Sequence, residues 1–567
     1  MNQETKNCQN CKASFVIEPE DFKFYEKMQV PPPTFCPKCR LQRRLAFFNI
    51  FNLYQRKCDL CKKETISNYA PNSPYIIYCP SCWWSDGWSV FDYGRDYDFS
   101  RPFFEQFKEL WGKTPLLGLS IDIPTMKTSP WNNHAGSIKN SYLLFHAGYT
   151  ENSAYGFYVD HCNDVFDCSA IISCELCYDC MHSYKDSRCV GNRSQVVNSI
   201  DCYFLKDCFN CQNCFASANL RNKKYYIFNR PYIKEEYFEE IKKWNLGSYK
   251  AYKEIQKKAE EHWKTMPPKP VEDEMTINCT GSHVFQSKNC KQCFEVVGAE
   301  DSKFLFLIPN PPIKDCYDIS SWGDNLSLSY ECCNVGEQAS GLKFCNESGL
   351  GLVNAEYCKL STGLNHFGCV SVKKGDYVIL NKRYEKDEYF KLREKIIQHM
   401  NEMPYTDKAG RVYKYGEFFP IELSPYAYNE TIASNFFTLS EAEAESNGFR
   451  WRKPEAHKHD TTMRAEDFPD HIKYAPDSIL NEAIKCSKCE RGFRIIPMEL
   501  KFLRERNLPL PRECPFCRIE EKFNQWVKNL RLIPRVCDKC GANFETKYTK
   551  DEAPIIYCKK CYQQEFV

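Results

Sequence analysis

Residues 161–190 read HCNDVFDCSAIISCELCYDCMHSYKDSRCV, with cysteine at positions 162, 168, 174, 177, 180 and 189. Cys202, Cys208, Cys211 and Cys214 continue the series toward the C-terminus. Short alternations of apolar and polar residues, broken by Asn, Asp and Gly, predict strands of a parallel β-solenoid. In such a fold one rung cannot bury its face alone, and stacking completes the core. Equivalent positions stack, so the cysteines are expected to form an interior ladder of small apolar side chains. Separations of 22 residues (Cys180 to Cys202, Cys189 to Cys211) and of 23 (Cys293 to Cys316) do not select one rung length. Cys174-x-x-Cys177-x-x-Cys180 and Cys208-x-x-Cys211-x-x-Cys214 resemble the opening of a ferredoxin cluster motif, but neither continues to a fourth Cys-Pro. Strand residues three apart face opposite sides, so each run points inward throughout only where a turn intervenes. A packing ladder is the favoured reading over a metal cluster.

The block is duplicated. Asn213-Cys214-Phe215, Asn229-Arg230-Pro231-Tyr232 and Glu236-Tyr237-Phe238 align with Asn365-His366-Phe367, Asn381-Lys382-Arg383-Tyr384 and Glu388-Tyr389-Phe390 at a constant offset of 152. A charged, helix-like segment follows each copy, at 234–264 and 386–402. These helices and the chain's terminal modules are expected to cap the open ends of the solenoid.

The termini are also copies of each other. Cys8-x-x-Cys11 and Cys36-x-x-Cys39 match Cys486-x-x-Cys489 and Cys514-x-x-Cys517, with 24 residues between the dyads in both. Phe15, Ile17, Pro19, Phe24, Pro31, Pro33, Pro37 and Arg40 align without a gap on Phe493, Ile495, Pro497, Phe502, Pro509, Pro511, Pro515 and Arg518. Cys58-x-x-Cys61 and Cys79-x-x-Cys82 match Cys537-x-x-Cys540 and Cys558-x-x-Cys561, with 17 residues between the dyads. A Cys-x-x-Cys turn brings two thiolates to one side of a metal, and a second dyad closes a tetrahedral site. Four soft thiolates suit zinc, with rubredoxin-like iron as the alternative. A closed four-thiolate site leaves no position for water or substrate, so four structural zinc ions are expected. Pro37 and Pro515 sit inside the second dyads, where proline is tolerated in a helix's first turn. The expected local order is a knuckle, a hairpin and then a helix carrying the last two ligands, whose N-terminus favours thiolate.

Residues 8–44, CQNCKASFVIEPEDFKFYEKMQVPPPTFCPKCRLQRR, resemble the treble-clef zinc-ribbon family of small bacterial proteins. Residues 486–518 resemble it too, with Phe502-Leu503 where the family has Phe-Tyr. The wider arrangement is similar to large cysteine-rich zinc-ribbon proteins of candidate-phyla bacteria. The resemblance implies zinc binding and no particular activity. The expected fold class is mainly β with α segments: a duplicated cysteine-rich parallel β-solenoid flanked by tandem treble-clef/zinc-ribbon modules. Its divisions are 1–57 (zinc module 1), 58–125 (zinc ribbon 2 and an aromatic, helical extension), 126–248 (repeat A), 249–276 (helical spacer), 277–402 (repeat B), 403–480 (connector), 481–536 (zinc module 3) and 537–567 (zinc ribbon 4).

Composition narrows the function. The 567 residues hold 76 Lys and Arg against 74 Asp and Glu, so any nucleic-acid footprint must be local. Thirty-five cysteines would indicate a disulfide scaffold in a small secreted domain. No secretory h-region and no long apolar run is present, so a reducing cytoplasm and no membrane span are expected. The best basic patch is Arg40, Arg43, Arg44, Arg56 and Lys57 around Phe47, Phe48, Phe51 and Tyr54. Arginine can contact phosphate and aromatics can stack bases, although the aromatic spacing also fits a buried helix face.

Catalytic signals are weak. Asp160, Asp164 and Asp167 could serve a carbohydrate-active solenoid, but Asp is common at solenoid turns. His161 adjoins Cys162, yet neighbours on a strand point apart. Asp86 lies among Trp83, Trp84 and Trp88, which are read as a cover for the second zinc site. His457 and His459 are read as an exposed pair in the connector. No small-molecule substrate emerges. The leading reading is a non-enzymatic, zinc-binding scaffold whose terminal modules contact nucleic acid or protein. The alternatives are a carbohydrate-active enzyme and a thiol- or metal-buffering or iron–sulfur protein.

Overall fold

In both middle blocks the backbone turns left-handed at every third residue over long stretches. Along one coil these residues are Asp164, Asp167, Ala170 and Ser173, with φ of 52°, 55°, 52° and 56°. Outside glycine this region is disfavoured, least so for Asn and Asp, which accounts for their frequency at the corners. Four corners close a coil of twelve residues: Phe157 pairs in parallel with Ser169, and Ser169 with Met181. The second block varies more. Gly281 pairs with Cys293, Ala299 with Ile313, Ile313 with Leu326 and Val353 with Leu364, so its coils run from eleven to fourteen residues. The protein, a computed structural model describing residues 2–453 and 460–567, is thus built on parallel β-solenoids. The 22-residue separation seen in the sequence is not the coil. His457 and His459 lie outside the described residues.

The residue after each corner points into the core. Cys162, Val165, Cys168, Ile171, Cys174, Cys177 and Cys180 are all buried in one cluster. A turn does therefore intervene at every third residue, and the Cys-x-x-Cys-x-x-Cys runs point inward throughout. The ladder is not simply apolar, however. The Cys168 thiol donates toward the Phe166 and Cys177 carbonyls at 3.3 and 3.6 Å and accepts the Cys180 N–H at 3.4 Å. Thr150 makes the same three bonds with its hydroxyl, donating to Gly148 and Val159 and accepting from Cys162. Cysteine here is a small side chain that fills the core and satisfies corner backbone groups that would be costly to bury unpaired.

Each solenoid ends in the same hairpin. Asn229 accepts the Ala218 N–H at 2.9 Å and donates to the Ala218 carbonyl at 2.7 Å. Asn381 does the same with Val370, at 2.9 Å in both directions. The helices Lys234–Lys243 and Lys386–Glu402 follow, with Tyr237 against Tyr225 and Tyr389 against Tyr377.

Two units form, and they are not sequential. One joins the chain up to Ser120 with Asp273–Lys453; the other joins Ile121–Glu272 with the C-terminal segment. The N-terminal four-cysteine pair therefore packs with the second solenoid, and the C-terminal pair with the first. The docking is on the sides of the coils rather than as end caps: the helix Pro37–Leu45 meets the strands Ile313–Gly323 and Leu326–Gly336, and Pro515–Asn529 meets Ala154–Asp160. An end plug does exist in the first unit, where Val90, Trp88 and Phe91 pack on the second solenoid's core.

Two expected linkers are packed structure. The helix Tyr249–Trp263 buries Tyr252, Ile255, Ala259 and Trp263, and the Tyr252 hydroxyl donates to Asp179 at 2.9 Å. In the 403–480 segment, Phe418 and Phe419 are fully buried and the Gly416 N–H donates to the Tyr357 hydroxyl at 3.0 Å. Cys177→Ser should cost about 1 kcal/mol or less, because the hydroxyl keeps the corner hydrogen bonds. Cys177→Leu should cost roughly 1–3 kcal/mol by overpacking the same position. Urea unfolding of the two variants measures the difference.

Candidate metal centres

All sixteen terminal cysteines gather as their spacing requires. Cys8, Cys11, Cys36 and Cys39; Cys58, Cys61, Cys79 and Cys82; Cys486, Cys489, Cys514 and Cys517; and Cys537, Cys540, Cys558 and Cys561 each hold their sulfur atoms within 4.8 Å of one another. Each group is able to hold a metal ion.

One local plan builds all four. The strands Glu4–Asn7 and Ser14–Ile17 pair antiparallel and place Cys8 and Cys11 in the turn between them. Four residues after the first cysteine the backbone is left-handed in every module: Lys12 (φ 63°), Lys62 (61°), Glu490 (63°) and Gly541 (75°). That curl folds the loop back over its sulfur. The third cysteine caps a helix each time, ahead of Pro37–Leu45, Pro80–Trp84, Pro515–Asn529 and Lys559–Phe566. Its N–H donates to the first cysteine's sulfur at 3.2, 3.2, 3.1 and 3.2 Å. The helix Pro19–Met28, and its counterpart Pro497–Glu505, stand between the hairpin and the ligand helix in modules one and three.

These donors favour thiolate, the form a metal needs. Burial raises the Cys58 thiol, but the N–H groups of Cys79 and Cys61 outweigh it and leave the pKa at about 7. Cys537 falls to about 6 by the same balance, with Cys558 and Cys540 as donors. Cys36 is pushed down to about 5, first by its hydrogen bond with the Cys39 thiol, and the same bond pushes Cys39 up. One sulfur of each group, on Cys11, Cys61, Cys489 or Cys540, belongs to an exposed residue.

The predicted basic patch is not a surface. Arg40, Arg43 and Arg44 are each 1% exposed, and Arg56 is buried as well. Arg40 reaches Asp318 at 2.9 Å and the Phe35 carbonyl at 2.8 Å, and Arg44 reaches the other Asp318 oxygen at 2.9 Å and Ser320 at 3.1 Å. Arg43 pairs with Glu331 and Glu417 and lies over the Phe35 ring at 4.1 Å. Arg56 bonds Asp59 and the Ala70 carbonyl, and only Lys57 of the five is exposed. Arg40, Arg43 and Arg44 neutralise buried solenoid carboxylates, and so cannot also serve as a phosphate-binding face. Phe47 and Phe48 are buried too, in the core rather than presented for stacking.

The C-terminal module docks in the same way on other residues. Arg518, aligned with Arg40, pairs with Asp167 and Glu499, while Lys522, aligned with Arg44, pairs with Asp179. Phe24 stacks on Tyr317 with centroids 3.8 Å apart, and its counterpart Phe502 meets Phe166 at 4.6 Å. Sequence reasoning missed the solenoid carboxylates Asp318, Asp167 and Asp179, because they lie hundreds of residues away in a repeat rich in Asp.

The candidate carboxylates of a solenoid enzyme differ in their surroundings. Asp167 is committed to Arg518, Asp160 pairs with His161 at 2.9 Å, and Asp164 is partly buried. Trp83 is buried against Trp84, and its carbonyl accepts from Lys373 at 2.9 Å.

No protein-family model matches the chain, and no curated protein matches it. A solved structure classed as an acetyltransferase from Desulfovibrio desulfuricans G20 aligns at 9% identity with a TM-score of 0.09, over 50% of this chain and 84% of that one. At that score it carries no argument. No helix among the described residues is long and apolar enough to cross a membrane.

Removing one half of a buried ion pair leaves an uncompensated charge. Arg40→Ala should therefore destabilise the first unit by roughly 3–5 kcal/mol, read by denaturant unfolding, and Lys57→Ala should be close to neutral.

Proposed function

We propose that the chain is a non-enzymatic, zinc-dependent scaffold in which metal-held modules brace two β-solenoids and leave outer faces for a protein partner. One observation carries this reading. The helix Pro37–Leu45 supplies the ligands Cys36 (as its cap) and Cys39, and also inserts Arg40, Arg43 and Arg44 into the carboxylates of the second solenoid. Four thiolates suit zinc and close its coordination sphere, so the ion's work is structural. The metal fixes the first turn of the helix, and the next turns make the brace. Burial of the arginines favours a protein partner over nucleic acid.

Metal analysis of the purified full chain is expected to give zinc at four terminal sites. Cys36→Ser together with Cys39→Ser should remove one of these ions and destabilise the first unit about as much as Arg40→Ala. If stability is unchanged when that ion is lost, the bracing role is wrong. The ultraviolet absorbance of the purified chain should be that of protein alone. Retained nucleic acid would move the partner from protein to nucleic acid.

A further inference from the structure

One inward position of the second solenoid holds an imidazole. His366 follows the left-handed Asn365 (φ 55°) and is fully buried. Cys358 and Cys369 are also fully buried, and their sulfurs and a ring nitrogen of His366 lie within 4.8 Å of one another. Nε2 of His366 sits 2.7 Å from the Gly375 carbonyl. A carbonyl only accepts, so Nε2 carries the proton and the neutral ring leaves a lone pair on Nδ1. Nδ1 is buried and has no hydrogen-bond partner. Burial holds the ring neutral by pushing its pKa down to about 4.

Other inward side chains of the ladder complete their bonding with backbone groups. Cys358 donates to the Glu356 carbonyl at 3.3 Å, and Cys369 approaches the Phe367 and Val378 carbonyls at 3.5 and 3.3 Å. His366 satisfies one nitrogen in that way and is left with a second that needs a Lewis acid or a proton donor. A buried acceptor without a partner is costly, so a histidine at this position calls for an account that a cysteine or serine would not.

We propose that Cys358, His366 Nδ1 and Cys369 form a fifth metal site, separate from the four terminal groups, for a thiophilic closed-shell cation: copper(I) or zinc. Two sulfurs and one imidazole nitrogen are soft to borderline donors that suit both ions. Three protein donors match three-coordinate copper(I) directly, whereas structural zinc takes four ligands and would draw on another donor. Binding replaces the two thiol protons, which leave to solvent, with bonds from the thiolates to the ion. The Nε2–H···O=C contact to Gly375 then acts as the outer bond that fixes ring orientation and tautomer in metal-bound histidines.

The test uses the full chain. Purified protein is loaded anaerobically with zinc alone or with copper(I) alone, and bound metal per chain is measured, with X-ray absorption at the edge of the bound metal. Saturation at five ions, with a sulfur- and nitrogen-ligated component alongside the all-sulfur sites, is the expected result. The ion that fills the fifth site distinguishes copper(I) from zinc. His366→Gln should lower the count by one and abolish the nitrogen component. Cys369→Ser, which keeps a hydroxyl for the carbonyl contacts, should do the same, and decides the matter if the histidine variant fails to fold. Cys8→Ser should disturb a terminal site and leave the nitrogen component intact, separating failure of this site from failure of the terminal ones. Saturation at four ions, or an unchanged count in Cys369→Ser, overturns the proposal.

Discussion

A left-handed corner at every third residue is the constraint on which the solenoids rest. It turns the chain fast enough to close a coil in about a dozen residues, and it aims one side chain in three at a narrow core. Corner carbonyl and amide groups border that core as well, and are costly to bury unpaired. Inward positions are filled either by aliphatic side chains such as Val165 and Ile171 or by small residues able to give and receive a hydrogen bond. Cysteine, serine and threonine meet both conditions, and at Cys168 and Thr150 they meet them with the same set of neighbours. Outside the proposed Cys358–His366–Cys369 site, cysteine in the middle of the chain thus serves packing and hydrogen bonding, whereas at the ends the same residue forms metal-binding groups. The two uses differ in geometry: ladder thiols reach backbone oxygens, while the terminal sulfurs converge in fours on one another.

The second principle is bracing by charge. Each ligand helix of modules one and three sends basic side chains into acidic residues of a solenoid coil, and the aligned pairs Arg40–Asp318 and Arg518–Asp167 show that the arrangement was duplicated with the sequence. Replacing either partner alone would be costly, which ties the module's position to the solenoid's register. The expectation of exposed phosphate-binding arginines fails for that reason.

Legibility followed distance along the chain. The grouping of the sixteen terminal cysteines could be read because a knuckle and a helix start are local, and their spacing is that of a four-sulfur site. The solenoid and its duplication could be read from Asn229 and Asn381, which lock equivalent hairpins. Coil length could not, because the second block inserts and deletes residues at its corners, so separations drift. A sharper signal was present in residues 162–180, where Cys, Val, Cys, Ile, Cys, Cys and Cys recur every third position. Strand logic, with its period of two, hid it. The partners of Arg40 and Arg518 were illegible, since nothing local distinguishes Asp318 or Asp167 from other corner acids.

The crossed pairing of modules and solenoids has a consequence for synthesis. The first solenoid leaves the ribosome with Asp167 and Asp179 already part of its coils, yet Arg518 and Lys522 are made more than 300 residues later. The N-terminal module, in contrast, is finished early and waits for Asp318 and Glu331 to emerge. The nascent chain therefore carries an unpaired arginine helix at one end and an unbraced acidic face in its middle, and the second unit closes last. A chain cut short before the C-terminal pair would hold a solenoid with Asp167 without Arg518, and with Asp179 left to Arg193 alone among its cationic partners.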